Sequence, residues 1–331
     1  MTLLLSVRDL STHFLLDEGV LRAVDGVSFD VRAGETVAIV GESGCGKTIV
    51  ALSLLRLVQW PGRIMRGNVW FNGEDLLTVS TERLRQVRGG EIGLVFQEPG
   101  ASLNPVFTVG AQLVEVLRLH RRLSQTDARR EALRLLDDVG IPEPDKRFGS
   151  YPFELSGGMR QRVAIALAIS GHPKLLIADE PTTALDVTVQ AEILKLLRRI
   201  QSEYGMAILI ISHDIGVVAT IAERVLVMYT GRLFEEAPAG ALFRSPLHPY
   251  TRGLLASAPR LGSGRGTPLR GIPGSVPDLL SLPSGCTFHP RCPIGDEGCT
   301  VTFPPLIEID AVRRCACYKV VPVSTDAERA S

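Results

Sequence analysis

A doubly wound α/β sheet, carrying an inserted helical subdomain and an irregular cysteine-rich C-terminal extension, is the fold this chain predicts. Three observations predict it. Short apolar runs alternate with helical text over the first 235 residues, the strand signal lapses between Gln97 and Gly171, and after Glu236 the composition turns to proline and glycine. A length of 331 residues exceeds one typical core, so a large unit of about residues 1–235 followed by an appendage of 236–331 is the expected organisation.

The elements come in order. From Val24 to Val31 the pattern alternates, with Val27, Phe29 and Val31 on one face, as in a half-buried strand; Ala33-Gly34 then turns the chain. Thr36 to Val40 is apolar without alternation, which suits a strand covered on both faces of a parallel sheet. Further runs of this kind stand at Ile92 to Phe96, Leu175 to Ala178, Ala207 to Ile211 and Val225 to Met228. A helix over about 189–200 places Val189, Ile193, Leu196, Leu197 and Ile200 on one stripe and leaves Lys195, Arg198 and Arg199 outside it. Within the helical subdomain, about 97–170, Ser124 and Asp127 form a candidate capping box, and Gly140 with Pro142 is a stop signal. The extension includes Gly262 to Gly266 and Pro268 to Pro283 and holds five of the six cysteines.

Composition narrows the function. The 36 basic and 36 acidic residues cancel, so the electrostatic footprint of a nucleic-acid binder is missing. The three-leucine run near the amino terminus is too short for a signal peptide, and no apolar run approaches the roughly 20 residues of a membrane-spanning helix. A cytoplasmic location without a spanning segment is the expectation.

Gly41-Glu42-Ser43-Gly44-Cys45-Gly46-Lys47-Thr48 fits the phosphate-loop pattern and stands where that pattern requires, after a buried strand and before a helix, which makes the fold a P-loop NTPase. Its glycines let successive amides face a phosphate, and the helix start adds partial positive charge. Lys47 would neutralise β and γ oxygens, Thr48 would offer a hydroxyl to Mg²⁺, and Ile49 continues the nucleotide-binding segment. Cys45 fills a variable position of the loop. Asp179-Glu180 puts two carboxylates at the end of an apolar strand, where burying charge is costly without a cation or polar reactant. Asp179 would join the Mg²⁺ shell, and Glu180 would orient or deprotonate the attacking water.

These residues, with Gln97 after a strand, Leu155-Ser156-Gly157-Gly158-Met159-Arg160-Gln161, Ala184-Leu185-Asp186 and Ile211-Ser212-His213-Asp214, resemble the ATP-binding cassette (ABC) family over about the first 235 residues. The resemblance implies two cassettes facing head to tail, with Ser156, Gly157 and Gly158 of one covering the γ-phosphate held by the other. It further implies that His213 contacts the γ-phosphate, that Gln97 senses Mg²⁺ and water and reports to the helical subdomain, and that Phe14 stacks on adenine or, equally, caps the core. His248-Pro249-Tyr250-Thr251 with Leu254-Leu255, and Val95-Phe96-Gln97-Glu98-Pro99 with Ser102-Leu103-Asn104-Pro105, resemble the ATPase subunits of dipeptide and oligopeptide importers, whose layout nickel importers share. That resemblance implies an ATPase on the cytoplasmic face of the inner membrane, bound peripherally to two permease subunits and a second, related ATPase, and served by an extracytoplasmic solute-binding protein. A crevice beside Gln97 would receive a short helix from each permease. A soluble cassette ATPase acting on DNA or ribosomes is the rival reading; a single cassette with no basic excess counts against it.

With no export signal, disulfides explain the cysteine tail poorly, and a metal site is favoured. The spacing of Cys286, Cys292-Pro293, Cys299, Cys315 and Cys317 lacks the close pair usual for zinc, since one residue between Cys315 and Cys317 is too few, and suits an iron–sulfur cluster. The importer subunits that this chain resembles carry such a tail, with the last cysteine before a histidine or tyrosine. That implies a 4Fe–4S cluster on Cys286, Cys292, Cys299 and Cys317, the last preceding Tyr318; zinc and unligated thiols remain alternatives.

Overall fold

The computed structural model describes residues 2–257 and 271–322. The expected loop runs at Gly262 to Gly266 and at Pro268 lie outside the described residues. In chain order the strands are β1 (Leu3–Leu16), β2 (Gly19–Arg32), β3 (Thr36–Val40), β4 (Gly62–Phe71), β5 (Glu74–Asp75), β6 (Ile92–Val95), β7 (Leu175–Asp179), β8 (Ala207–Ser212), β9 (Arg224–Tyr229), β10 (Arg232–Pro238), β11 (Ile307–Asp310) and β12 (Arg313–Cys315). The helices are α1 (Lys47–Leu54), α2 (Thr81–Gly90), α3 (Pro99–Ser102), α4 (Val109–Arg121), α5 (Gln125–Asp138), α6 (Pro144–Phe148), α7 (Gly157–Ile169), α8 (Val187–Tyr204), α9 (Ile215–Ile221), α10 (Ala239–Arg244) and α11 (Pro249–Ser257). None of them is long and apolar enough to cross a membrane among the described residues. Contacts divide the chain into two units, Met1–Ser6, Asp30–Thr36 and Trp70–Ile211 in the first, and Val7–Phe29, Val37–Val69 and Ser212–Ser331 in the second, each in its described residues.

In the first unit β6, β7 and β8 run parallel, with Ile92 opposite Leu175 and Leu175 opposite Ala207. Every residue of β7 and β8 is buried, the two-faced burial that their unbroken apolar text requires. α8 begins at Asp186, whose carboxylate accepts from Val189 N at 3.0 Å, and ends at Gly205, which takes the left-handed φ of 65°. Its buried stripe is Ile193, Leu194, Leu196, Leu197 and Ile200. Val189 is only half-buried, so the stripe starts one turn later than the periodicity suggests.

Helices α3 to α7 fill the interval between β6 and β7, with no strand among them. Thr108 caps α4, and Ser124 caps α5 by accepting from Asp127 N at 3.1 Å while donating to Asp127 Oδ2 at 2.7 Å. Gly140, at φ 73°, follows the end of α5. α4 packs against α5, α6 and α7, which places buried Leu113, Leu117, Leu135 and Leu136 in one helical core.

In the second unit the strand order is β3, β9, β10, β12, β11, parallel at the first pair and antiparallel after it. Here the expectation of an extension without regular structure needs correcting. β10 runs to Pro238, and β12 pairs with it, Glu235 opposite Cys315 and Glu236 opposite Arg314, so a late segment continues the sheet. Strands of three and four residues are too short to declare an alternation, which is why the sequence hides them. Tyr229, Phe234, Tyr250, Phe288 and Phe303 pack as one aromatic cluster, with Tyr229 and Tyr250 centroids 4.6 Å apart and Tyr229 and Phe288 5.5 Å apart.

Leu197 is fully buried on α8. Leu197→Ala is expected to cost about 3 kcal/mol of unfolding free energy with an unchanged denaturant slope, read from urea or guanidinium titration.

Candidate functional site

The second unit carries the glycine-rich loop. A side chain at Gly41 would stand 2.1 Å from Met228 O, and one at Gly46, whose φ is 99°, would stand 2.0 Å from Ala23 O, so both positions demand glycine. Gly44, at φ 79°, opens instead on free space, with nothing within 4 Å of a built Cβ. α1 starts directly after Gly46 with no side-chain cap and no acidic residue in its first turn, leaving its positive end for an anion. Lys47 is 5% exposed, and its ammonium donates to Gly41 O at 2.8 Å and Glu42 O at 3.0 Å. Those carbonyls hold the charge in place without neutralising it, so phosphate oxygens are the better partner for it. Thr48 and Ile49, in the first turn, are half-buried. Ser43 is exposed, while Cys45 is buried, and burial pushes its thiol pKa up, away from redox reactivity.

Elsewhere in this unit His213 is exposed just beyond β8, and the next residue, Asp214, caps α9 by accepting from Gly216 N at 2.7 Å. Phe14 is half-buried, its ring edge 2.8 Å from where a Cβ at Gly62 would stand.

The first unit carries the carboxylates. Asp179 ends β7 at 3% exposure, and Glu180 follows at 9% with the left-handed φ of 46°, rare for a residue with a side chain. Gln97 Nε2 donates to Glu180 Oε2 at 2.9 Å, and Thr183 Oγ1 donates to the same oxygen at 2.8 Å. One carboxylate oxygen thus takes two donors, which fixes the plane of the group. The loop after it, including Ala184-Leu185-Asp186, is held by Gln190 Nε2, which donates to Thr182 O at 3.2 Å and Leu185 O at 3.1 Å. Ser156 is exposed and caps α7, its hydroxyl accepting from Met159 N at 3.3 Å; Gly157 and Gly158 form the first turn. A groove of about 440 Å³ lies beside the strand end that precedes Gln97, lined by Phe96, Asn104, Phe107 and Gln112 among others.

Four of the five tail cysteines, Cys286, Cys292, Cys299 and Cys317, line one small cavity with His289, Tyr318 and Lys319. Cys315 stays outside it, fully buried in β12. Burial pushes the Cys286 thiol up to about 11 and raises those of Cys292 and Cys317, with neighbouring thiols adding to each shift. No three His, Cys, Asp or Glu side chains among the described residues are placed to hold a single metal ion.

Gln97 and Glu180 are therefore brought together, as are Lys47 and its loop, and the four cysteines. Thr183, beside Glu180, and Arg291, whose guanidinium donates to the Glu42 carboxylate at 2.7 Å, are neighbours of these residues that the sequence alone did not reveal. Thr183 had a faint signal as the hydroxyl three residues after Glu180; Arg291, far along the chain from the loop, had none.

Known proteins share this architecture. The family described as "ABC transporter" matches residues 24–183, and the one described as "Oligopeptide/dipeptide transporter, C-terminal region" matches residues 234–299. A putative peptide import ATP-binding protein of Brucella melitensis is 49% identical over 327 residues, covering 96% of this chain and 97% of that protein. A probable peptide ABC transporter ATP-binding protein of Sinorhizobium fredii is 48% identical, covering 96% and 95%. Among solved structures, the dimeric ATP-binding cassette MJ0796 in a post-hydrolysis state with ADP and Pi has a TM-score of 0.65 at 28% identity, over 71% of this chain and 98% of that one. CbiO1 of Clostridium perfringens has a TM-score of 0.63 at 29% identity, over 74% and 92%. The fold is thus the mixed α/β P-loop fold of ATP-binding cassettes. The chain belongs to the ABC transporter family, as an ATPase subunit of the oligopeptide/dipeptide importer type.

Thr183→Val removes one donor on Glu180 and keeps the shape. Hydrolysis by the assembled transporter should fall roughly fivefold, about 1 kcal/mol, while the dissociation constant for ATP stays within twofold, as read by steady-state assay and calorimetry.

Proposed function

We propose that this chain binds and hydrolyses ATP to power uptake of dipeptides or oligopeptides through separate permease subunits, from the cytoplasmic face of the inner membrane. The observation that carries this is the Gln97–Glu180 pair at 2.9 Å, in a chain whose glycine loop holds Lys47 ready for phosphate and whose relatives over 96% of its length are named for peptide import.

The residue roles derive from chemistry. Lys47, Thr48 and the amides around Ser43, Gly44, Cys45 and Gly46 take the phosphates, and Phe14 is the candidate for adenine. Thr48, Gln97 and Asp179 would hold Mg²⁺, which would supply positive charge to offset that gathering on the phosphoryl group. Glu180, kept in one plane by Gln97 and Thr183, orients the attacking water and accepts its proton. His213, exposed beyond β8, would contact the γ-phosphate. Ser156, Gly157 and Gly158 act on the ATP of a second, related ATPase subunit, offering a hydroxyl and helix-start amides to its γ-phosphate. The groove beside Phe96 and Phe107 suits a short amphipathic helix from each permease, next to the glutamine that pairs with Glu180. A solute-binding protein on the far side would select the cargo.

The cysteine cavity supports a 4Fe–4S cluster as a structural tie within residues 236–331. What supports this reading is that Cys286, Cys292, Cys299 and Cys317 line one small cavity, a set of the thiol donors that iron–sulfur clusters use.

Glu180→Gln should retain ATP binding and lower steady hydrolysis by about 10²–10⁴-fold, with ATP trapped on the complex; undiminished turnover would end its assignment. Anaerobically purified protein should show iron, acid-labile sulfide and broad visible absorption. Cys292→Ser and Cys317→Ser should lose them and Cys315→Ser keep them, whereas stoichiometric zinc without colour would overturn the cluster.

A further inference from the structure

The second residue of the glycine loop is seized from two sides by the C-terminal part of the same unit. Glu42 N donates to the Tyr250 hydroxyl at 2.8 Å. The Glu42 carboxylate accepts from both terminal nitrogens of Arg291, at 2.7 and 3.0 Å, the bidentate geometry in which arginine and carboxylate bind most firmly. Neither grip is loose. The Arg291 side chain is 4% exposed, and it also donates to Pro273 O at 2.9 Å and to the Tyr229 hydroxyl at 3.1 Å. Tyr250 is fully buried, with its own N–H given to His248 Nδ1 at 3.0 Å, while the amides of Leu247 and His248 each donate to Glu235 at 2.8 Å.

The same Glu42 presents its carbonyl to Lys47 Nζ at 3.0 Å. Any shift of Glu42 therefore moves the oxygen that fixes the phosphate-binding ammonium, together with the amides after it. A bidentate pair and a buried hydroxyl acting on adjacent atoms of one loop residue leave that loop little freedom, so a binding-ready shape need not be assembled when phosphate arrives. The simpler alternative is a staple that joins segments for stability alone; it predicts effects on unfolding without effects on nucleotide.

We propose that Tyr250 and Arg291 are positioning residues of the nucleotide site, which set the phosphate loop through Glu42 and so make ATP affinity depend on the C-terminal extension. This rests on reading Gly41 to Thr48 as the ATP phosphate loop. The His248-Pro249-Tyr250 segment thereby gains a role, because His248 and Glu235 fix the backbone from which Tyr250 reaches the loop.

The test uses the full chain, MgATP and equilibrium binding, with thermal unfolding measured beside it. Tyr250→Phe keeps the ring and removes only the acceptor; Glu42→Gln keeps the shape and removes the charge; Arg291→Gln removes its partner. Each should raise the dissociation constant for MgATP roughly three- to tenfold, and the Glu42→Gln/Arg291→Gln double variant should bind no worse than the weaker single. Arg314→Gln breaks another ion pair of the extension, with Glu236, and should leave the constant unchanged. The proposal is overturned if Tyr250→Phe and Glu42→Gln unfold like the parent and bind MgATP equally well, or if Arg314→Gln weakens binding as much as they do. Should Arg291→Gln not fold, Tyr250→Phe and Glu42→Gln still decide. A parent chain that fails to bind MgATP would remove the phosphate-loop reading and this inference together, whereas a binding parent with unaffected variants removes this inference alone.

Discussion

Two positions where no side chain can stand govern the nucleotide chemistry of the second unit. Backbone carbonyls of β9 and β2, at Met228 and Ala23, lie about 2 Å from where Cβ atoms at Gly41 and Gly46 would be, so the loop is moulded directly on the strands that flank it. Its shape is then a property of sheet packing rather than of the loop's own sequence. That matters because a phosphate site made of amides gains its strength from order fixed beforehand: amides that had to be arranged on binding would lose most of their attraction to the anion. The open side at Gly44 and the closed sides at Gly41 and Gly46 together define where a phosphate can go.

Charge is constrained as tightly as shape. Carboxylates at Asp179 and Glu180 are buried at a strand end, an arrangement that costs stability unless donors or cations share the site. In the first unit the donors on Glu180 Oε2 include two neutral side chains, Gln97 and Thr183. Two donors on one oxygen hold the carboxylate in a fixed orientation. The left-handed backbone at Glu180 and at Ala184 shows that the chain accepts local strain to aim this segment.

Much of this was legible in the residues. Strands β3, β6, β7, β8 and β9 were marked by runs whose apolar character did not alternate, because each is covered on both faces, and they were placed to within a residue or two at their ends. The glycine loop and Asp179-Glu180 were legible because their chemistry restricts residue type, whereas Gln97 was singled out only through the family resemblance. Strands β5, β11 and β12 were not, being two to four residues long, and β4 carries Arg63, Arg66 and Asn68 among its apolar residues. The grip of Arg291 on Glu42 was illegible for another reason: it joins residues 249 apart, and nothing in an exposed-looking arginine beside a cysteine announces a buried partner in the first fifty residues. In the sequence only resemblance separated Cys317 from Cys315; in the fold Cys317 lines the cavity with the other cysteines, while Cys315 lies in β12, paired with β10.

The loop's own carboxylate poses the converse problem to that of Glu180. A phosphate loop that carries a glutamate at its second position sets an anion close to the place where it must collect anions, and like charges at such range disfavour binding. Two remedies exist: hold the carboxylate in a fixed place, or neutralise it. Arg291 does both, because its guanidinium matches the charge through two nitrogens while being anchored itself to Pro273 O and the Tyr229 hydroxyl, so the carboxylate it grips cannot swing freely. The positive field of Lys47 and the start of α1 is thereby left for substrate. MJ0796 aligns with 71% of this chain while 98% of MJ0796 is matched, so this chain carries a surplus of residues beyond that cassette. Arg291 lies in the C-terminal region that a separate family description covers, residues 234–299, outside the 24–183 matched to the transporter ATPase itself. A loop glutamate and an added extension are then two halves of one arrangement: the matched glutamate is the handle by which the extension holds the loop, and the arginine would be a buried, unmatched charge without it.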